Sequence, residues 1–383
     1  MNRPTSLLVV STSLDTGGAQ RFVSTLLTHL DRDRVRPELA LLRNEVGYGL
    51  PEGTRVHPLG YGGPQHLPRT ISRLCETIRR REPDVVLSNT TATNLVAGFA
   101  VSHGAAWPRW IARIGTNPSR HDSFLRRVAA RYVYRRAETI IANSQGLAGE
   151  VRRQFPRLAG RVAVIGNPTD FAALDQQAAL PPACVRTSDR TLLIAVGRLF
   201  REKRYDVMLD ALAIIRKQVD AELWICGEGP ERLRLERQIR ELSLSDSVLL
   251  LGFCRNPHAL LRQADLFLMT SDHEGSPNSL IEAQGLGVPA VATRCSHGPE
   301  EIIVEGKTGL LTPVGDVKAF ADAALDALQS KNLFSCTAAD EQVRQRFDAR
   351  RLVQQWEDML SSHVEPTSSE DENVPRVLQG QSQ

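Results

Sequence analysis

Short apolar runs alternate along this chain with stretches whose apolar positions recur every three or four residues. Runs of the first kind suit buried strands, and stretches of the second kind suit amphipathic helices. Their regular alternation is the pattern of parallel sheets with crossover helices. In the first half the pattern predicts strands at Ser6–Ser11, Pro37–Leu42, Asp84–Ser88, Trp110–Ile114, Thr139–Ala142 and Val162–Ile165. Helical stretches fall between most of them, among them Ala19–Leu30, Thr70–Arg81 and Phe124–Arg136. Residues 171–190 break the rhythm with Pro181-Pro182 and a polar end, which predicts an inter-domain linker, placed at 176–190. The alternation then restarts, with strands expected at Thr191–Val196, Glu222–Cys226, Val248–Leu251, Leu266–Met269, Val288–Ala292 and Gly309–Leu311. Helices are expected at Arg204–Lys217, Glu231–Leu242, Pro257–Gln263, Ser279–Leu286 and Val317–Leu328.

The fold class is therefore α/β, with two doubly wound, Rossmann-like domains at 1–175 and 191–345. A final helical segment, 346–361, is expected to pack back across the first domain, and residues 362–383, without apolar periodicity, read as a disordered tail. In sheets of this kind ligands sit outside the carboxyl ends of the strands, so the natural site is the cleft between the domains.

Composition adds exclusions. With 42% hydrophobic and 24% charged residues, a disordered or fibrous chain is excluded. No uninterrupted apolar run reaches the roughly 18 residues of a spanning helix. Met1–Thr12 reads as a first strand, not a signal segment, so a cytoplasmic location is expected. Cys75, Cys184, Cys226, Cys254, Cys295 and Cys336 are scattered without a CxxC, which predicts reduced thiols and neither a disulfide framework nor structural zinc. Net charge changes the picture only when divided. Residues 1–183 hold 24 Arg, no Lys and 14 acids, hence +10; residues 184–383 hold 23 basic and 30 acidic residues, hence −7.

Three places concentrate chemistry. Gly17-Gly18 ends the loop after the first strand and opens a helix, which suits either a tight turn or an anion bound by free N–H groups. The spacing is not GxGxxG. The loop Gly197-Arg-Leu-Phe-Arg-Glu-Lys-Arg-Tyr205 follows a buried strand, so Arg198 and Lys203 would hang over the cleft, where a guanidinium fork and a point charge suit phosphate oxygens. In Glu274-Gly-Ser-Pro-Asn-Ser-Leu-Ile-Glu282 a loop leads into a helix start. The N–H groups of Asn278, Ser279 and Leu280 would face an anion, Glu282 would lie one turn inside, and Glu274 would stay on the loop. A carboxylate at Glu282 can accept two hydrogen bonds from a ribose diol, and Glu274 can reach a sugar hydroxyl.

These motifs occur together and in a set order: GGAQR at Gly17–Arg21, GRL-x-x-EK-x-x-D at Gly197–Asp206, GxGP at Gly227–Pro230 and E-x7-E at Glu274 and Glu282. Asn143-Ser144, Gly166-Asn167-Pro168, Gly252-Phe253 and Gly306-Lys-Thr-Gly309 are weaker echoes. Over residues 5–360 the chain resembles a retaining glycosyltransferase of family 4 with the GT-B fold. The resemblance implies a nucleotide-sugar donor held mainly by the second domain. Arg198 and Lys203 would bind the diphosphate, Glu282 the ribose and Glu274 the transferred sugar. Backbone near Cys254 and Arg255 would face the base, and Gly17-Gly18 with Gly197 would close around the donor. It also implies transfer with retention, a donor phosphate oxygen helping to remove the acceptor proton, UDP as the first choice of nucleotide and GDP as the second. The transferred unit would be a hexose or N-acetylhexosamine, and the acceptor a lipid-linked saccharide or polysaccharide precursor. No DxD ends a strand, so no metal and no cofactor is expected.

One departure stands out. Many relatives carry a His in the loop after the strand matching Trp110–Ile114, whereas here the segment reads Arg113-Ile-Gly-Thr-Asn117, with His121 shortly after. Arg113, Asn117 and His121 are the acceptor-side candidates. Between Arg120 and Arg136 lie six Arg and one acid, Asp122, with Phe124, Val128 and Tyr132 beside the basic face. Such a helix suits an anionic membrane surface, which predicts peripheral attachment at the inner face of the plasma membrane. No nucleic-acid motif or aromatic platform is present, so no nucleic acid is expected. The competing readings are a nucleotide-sugar epimerase on the same fold and a non-catalytic two-lobed binding protein. A hydrolase reading finds no GxSxG.

Overall fold

Runs such as Leu7–Val10 and Leu192–Ala195 are apolar at successive positions, because a strand in a sheet covered on both faces needs buried side chains on both. The computed structural model describes residues 3–15, 17–102, 108–116, 124–329 and 336–362. Its first sheet holds β1 (Thr5–Ser11), β2 (Val35–Leu41), β3 (Val56–Pro58), β4 (Val85–Ser88), β5 (Arg109–Ile114), β6 (Thr139–Ala142) and β7 (Val162–Val164), in the order 3-2-1-4-5-6-7. The second holds β8 (Thr191–Val196), β9 (Ala221–Cys226), β10 (Val248–Gly252), β11 (Leu266–Met269), β12 (Ala290–Thr293) and β13 (Gly309–Thr312), in the order 10-9-8-11-12-13. Every strand pairing is parallel. The strand order reverses beside β1 and beside β8, so a ligand crevice opens beyond the carboxyl end of each. The Gly17-Gly18 turn and the Gly197–Lys203 loop lie at those two points.

Alternation along each strand divides the core. In the first domain Leu8, Val10, Val86 and Ala112 pack on one face, while Leu7, Val9, Leu87 and Ile111 pack on the other beneath the helix Gly18–His29. The last helix, Ala349–Ser361, joins this second layer. Its Trp356 meets Phe22 with ring centroids 5.4 Å apart, Arg34 bonds Glu357 and Asp358, and Arg109 donates to the Met359 and Leu360 carbonyls at the helix end. The chain crosses between the domains at Thr169 and at Asp348, where Thr169 bonds the backbone on both sides of Asp348.

Two elements depart from the expected pattern. The edge strand β3 is three residues long, too short for periodicity to reveal, and Pro58 is tolerated there because an edge strand has ladder positions to spare. Residues 171–178 form a helix at the start of the stretch read as irregular. Asp170 caps it by accepting from the Ala173 N–H, and Phe171, Leu174 and Ala178 share one face that packs on the second domain's core. The irregular connection is then 179–190. No helix among the described residues is long and apolar enough to cross a membrane. From 363 onward the tail lies outside the described residues.

Candidate active site

The loop after β8 is held by backbone contacts that explain two motif glycines. The Gly197 N–H donates to the Cys226 carbonyl at 3.0 Å. A Cβ on Gly227 would collide with the Gly197 carbonyl, and one on Gly229 with the Leu199 carbonyl. The GxGP run thus lets the β9 turn press against the basic loop. Arg198 is exposed and lies over the Phe200 ring at 4.6 Å. A single 3-10 turn, Arg201–Lys203, brings Lys203 back over the sheet, where its Nζ donates to Glu274 at 2.5 Å. Ser271 donates to the same Glu274 oxygen at 2.8 Å. Glu274 is therefore tied on two sides, beside the loop that carries both cations.

Glu282 lies one turn inside the helix Asn278–Gly285 and is 3% exposed. Arg21, from the first domain, donates to one of its oxygens, and His258 stands 3.3 Å from the other. Gln177 bonds the far nitrogen of His258 at 2.8 Å. Burial pushes the Glu282 carboxyl up, but Arg21 and His258 outweigh it and hold the group at about 2. Arg21, beside Glu282, is raised in turn.

The two domains meet along this line. Gly17, at φ +110°, caps the helix Gly18–His29, and a Cβ on Gly18 would lie 3.2 Å from the Asn278 amide nitrogen. Asn167 donates to the Ser276 carbonyl at 3.0 Å and to the Asn278 side chain at 2.7 Å. A Cβ on Gly275 would strike the Gly115 carbonyl, so only glycine lets the Glu274 loop close on the first domain. Farther along, Glu301 accepts from the N–H groups of Gln145 and Gly146, the start of a helix capped by Ser144.

The structure thus sets Gly197 beside Lys203, Lys203 against Glu274, and the Gly17-Gly18 turn against Asn278 at the start of the helix that carries Ser279 and Glu282, with Arg198 exposed next to Gly197. The Leu280 N–H is already used, donating to the Pro277 carbonyl at 3.2 Å, which leaves Asn278 and Ser279 as the anion-facing groups of the first turn. Cys254 is half-buried, with its thiol 3.5 Å from the Gly252 carbonyl, and Arg255 is exposed beside the exposed Phe253. Arg113, an acceptor-side candidate, is the penultimate residue of β5 and is fully buried. Asn117 and His121 lie outside the described residues. Arg21, Asn167, His258 and Ser271 were not assigned roles from sequence. Arg21 and Asn167 stand inside quoted motifs, which was the available signal; His258 and Ser271 had none. Chemically, two cations and an open helix start in a cleft can hold a diphosphate and take up the charge that develops on it as a leaving group.

Comparison with known proteins agrees. Residues 16–173 match the family model described as Glycosyltransferase Family 4, and residues 179–346 match that of Glycosyl transferases group 1. A curated relative is the N-acetylgalactosamine-N,N'-diacetylbacillosaminyl-diphospho-undecaprenol 4-alpha-N-acetylgalactosaminyltransferase of Campylobacter jejuni, 27% identical over 84% of this chain and 89% of that one. Another is the lipopolysaccharide core biosynthesis glycosyltransferase LpsD of Rhizobium meliloti, 26% identical over 91% and 96%. Among solved structures, Anabaena HepE in complex with UDP-glucose superposes with a TM-score of 0.77 at 23% identity, covering 93% of this chain and 99% of that one. Between them the two family models span both lobes, and the chain belongs to the family 4 type of GT-B glycosyltransferases.

Proposed function

We propose that this glycosyltransferase moves a hexose or N-acetylhexosamine, with retention, from a UDP-sugar to a lipid-linked saccharide or polysaccharide precursor, GDP-sugars being the second choice of donor. What supports this reading is the Lys203–Glu274 contact just before the Asn278–Ser279 turn, with Arg198 exposed on the same loop as Lys203 and Glu282 one turn inside the helix. The diphosphate would lie against the cations and the helix start, the ribose against Glu282 and the sugar against Glu274. Glu274 is held by Lys203 and Ser271, and Glu282 by Arg21 and His258. Both carboxylates are better placed to orient a substrate than to attack one, which favours front-side displacement over a covalent intermediate. Charge neutralisation then falls to side chains and backbone N–H groups, without a bridging metal. The Campylobacter relative, named for a diphospho-undecaprenol acceptor, supports the lipid-linked class, and the UDP-glucose in Anabaena HepE supports UDP.

A thermal-shift panel of UDP-, GDP- and ADP-sugars tests the donor side. UDP-sugars are expected to raise Tm, by several degrees at a ligand concentration about 100 times Kd, and the other two classes much less. Stabilisation by ADP-sugars alone would overturn the assignment.

The same reading places the first domain on an anionic membrane. On the helix Phe124–Tyr134, Val128 and Tyr132 are each 49% exposed, with Arg131, Arg135 and Arg136 exposed around them and Arg136 stacked on Tyr132 at 4.9 Å. The rest of the Arg120–Arg136 cluster falls outside the described residues or side chains. Sedimentation with anionic vesicles is expected at low salt, with release at high salt. Protein that stays in the supernatant at low salt would refute the attachment.

A further inference from the structure

Arg113 is 1% exposed and has no carboxylate partner among the described residues. Two other buried charges differ from it: Glu282 pairs with Arg21, and Glu357 with Arg34. The Arg113 guanidinium carbon lies over the Phe22 ring, 3.9 Å from its centroid, and one of its terminal nitrogens donates to the Asn167 side-chain oxygen at 2.5 Å. Its Nε and its other terminal nitrogen are unpartnered. That free nitrogen faces Gly115, where an added Cβ would stand 3.1 Å away, at the point where Gly115 packs on Gly275 across the cleft.

A buried cation held by one neutral amide is an expensive arrangement for a fold to keep. Hydrogen bonding to Asn167 does not explain it, since a glutamine N–H would serve an amide oxygen as well. Burial lowers the group from its ordinary value to about 9, so the surroundings work against the charge that Arg113 carries. Location explains the charge better. Asn167 passes the contact upward to the Ser276 carbonyl and the Asn278 side chain, the start of the helix Asn278–Gly285. The guanidinium thus lies one amide beneath the turn that, with Lys203 and Arg198, forms the anion side of the cleft.

We propose that Arg113 is a positioning residue for the donor's diphosphate, its unpaired charge set beneath the Asn278 turn so that the bound anion supplies the missing counter-charge. It acts through Asn167, which fixes the turn, and through its field, which is little screened in a buried seam. This rests on the donor assignment above.

The prediction separates this role from a structural one by sign. Arg113→Met is expected to raise the Tm of the ligand-free protein, because an uncompensated charge is removed, and to weaken UDP binding about tenfold or more. Arg113→Lys, which keeps the charge, is expected to retain most of the affinity. Titration calorimetry with UDP, or with GDP if only GDP shifts wild type, reads both variants against wild type. A lowered Tm with unchanged nucleotide affinity would overturn the proposal and leave the donor assignment standing. Wild-type protein that binds neither nucleotide would overturn both. Arg113→Gln, which keeps an N–H for Asn167, replaces the Met variant should that fail to fold. Failure of both to fold would mean that the charge stabilises the empty fold, which is also contrary to the proposal.

Discussion

Replacing Lys203 with alanine lowers kcat/KM for transfer by about 10³-fold or more while leaving both sheets folded. Lys203 sits on a 3-10 turn in the loop after β8, half-buried, and its side-chain partner is Glu274, not the core. Removing it therefore opens no cavity. On the proposed donor geometry it removes the compact positive charge nearest the place where a diphosphate leaving group would gain charge. It also strips Glu274 of its counter-ion and points an unneutralised carboxylate at that anion. The loss should therefore exceed that from Lys203→Arg, which keeps the charge at a different reach. Adding Glu274→Gln to Lys203→Ala should cost little more than the first change alone, because the two groups act as one unit. Steady-state kinetics of nucleotide release, with a melting curve to confirm folding, reads all three variants. A Lys203→Ala enzyme within tenfold of wild type would remove Lys203 from the reaction.

Much of this site was legible in sequence because it is local. Strand β8, the basic loop after it and the loop between Glu274 and Glu282 are each contiguous, and a parallel strand buried on both faces announces itself as an unbroken apolar run. What escaped is what the two domains do to each other. Arg21 and Glu282 are 261 residues apart, and no periodicity says that one will lie against the other. Arg113 fell within a predicted strand, but no spacing said that Phe22, from the helix Gly18–His29, would cover its guanidinium. The charge division gains a different meaning as well. The basic first half lends Arg21 to the buried Glu282 of the acidic second half and Arg34 to the C-terminal helix. Part of the +10 is thus spent on holding the lobes together, not on an external surface.

The Arg21–Glu282 contact yields the second large effect. Glu282→Ala is expected to abolish measurable transfer, since the ribose loses its acceptor, and also to destabilise the protein. Removing one member of a fully buried pair costs about 3–5 kcal/mol; less is expected here, because the Arg21 side chain is 31% exposed and water can reach it. Arg21→Ala leaves Glu282 with His258 alone, so stability falls but transfer persists. In the double variant neither charge is stranded, so stability should recover above that of Glu282→Ala while activity stays lost. Such a cycle divides the structural role of the pair from the donor role of one member. Acid provides an independent check. Glu282 is held at about 2 against an ordinary 4.5, so its charged form stabilises the fold above pH 4.5, and that contribution is lost as pH falls toward 2. In Arg21→Ala the carboxyl rises, because its largest charge partner is gone and His258 alone opposes burial, and the acid-induced loss between pH 4.5 and 2 should shrink. Chemical denaturation at a series of pH values measures it. Identical acid profiles for wild type and Arg21→Ala would mean that Arg21 does not pair with Glu282 in solution, and Glu282 would then face an incoming ribose with His258 as its one charged neighbour among the described residues.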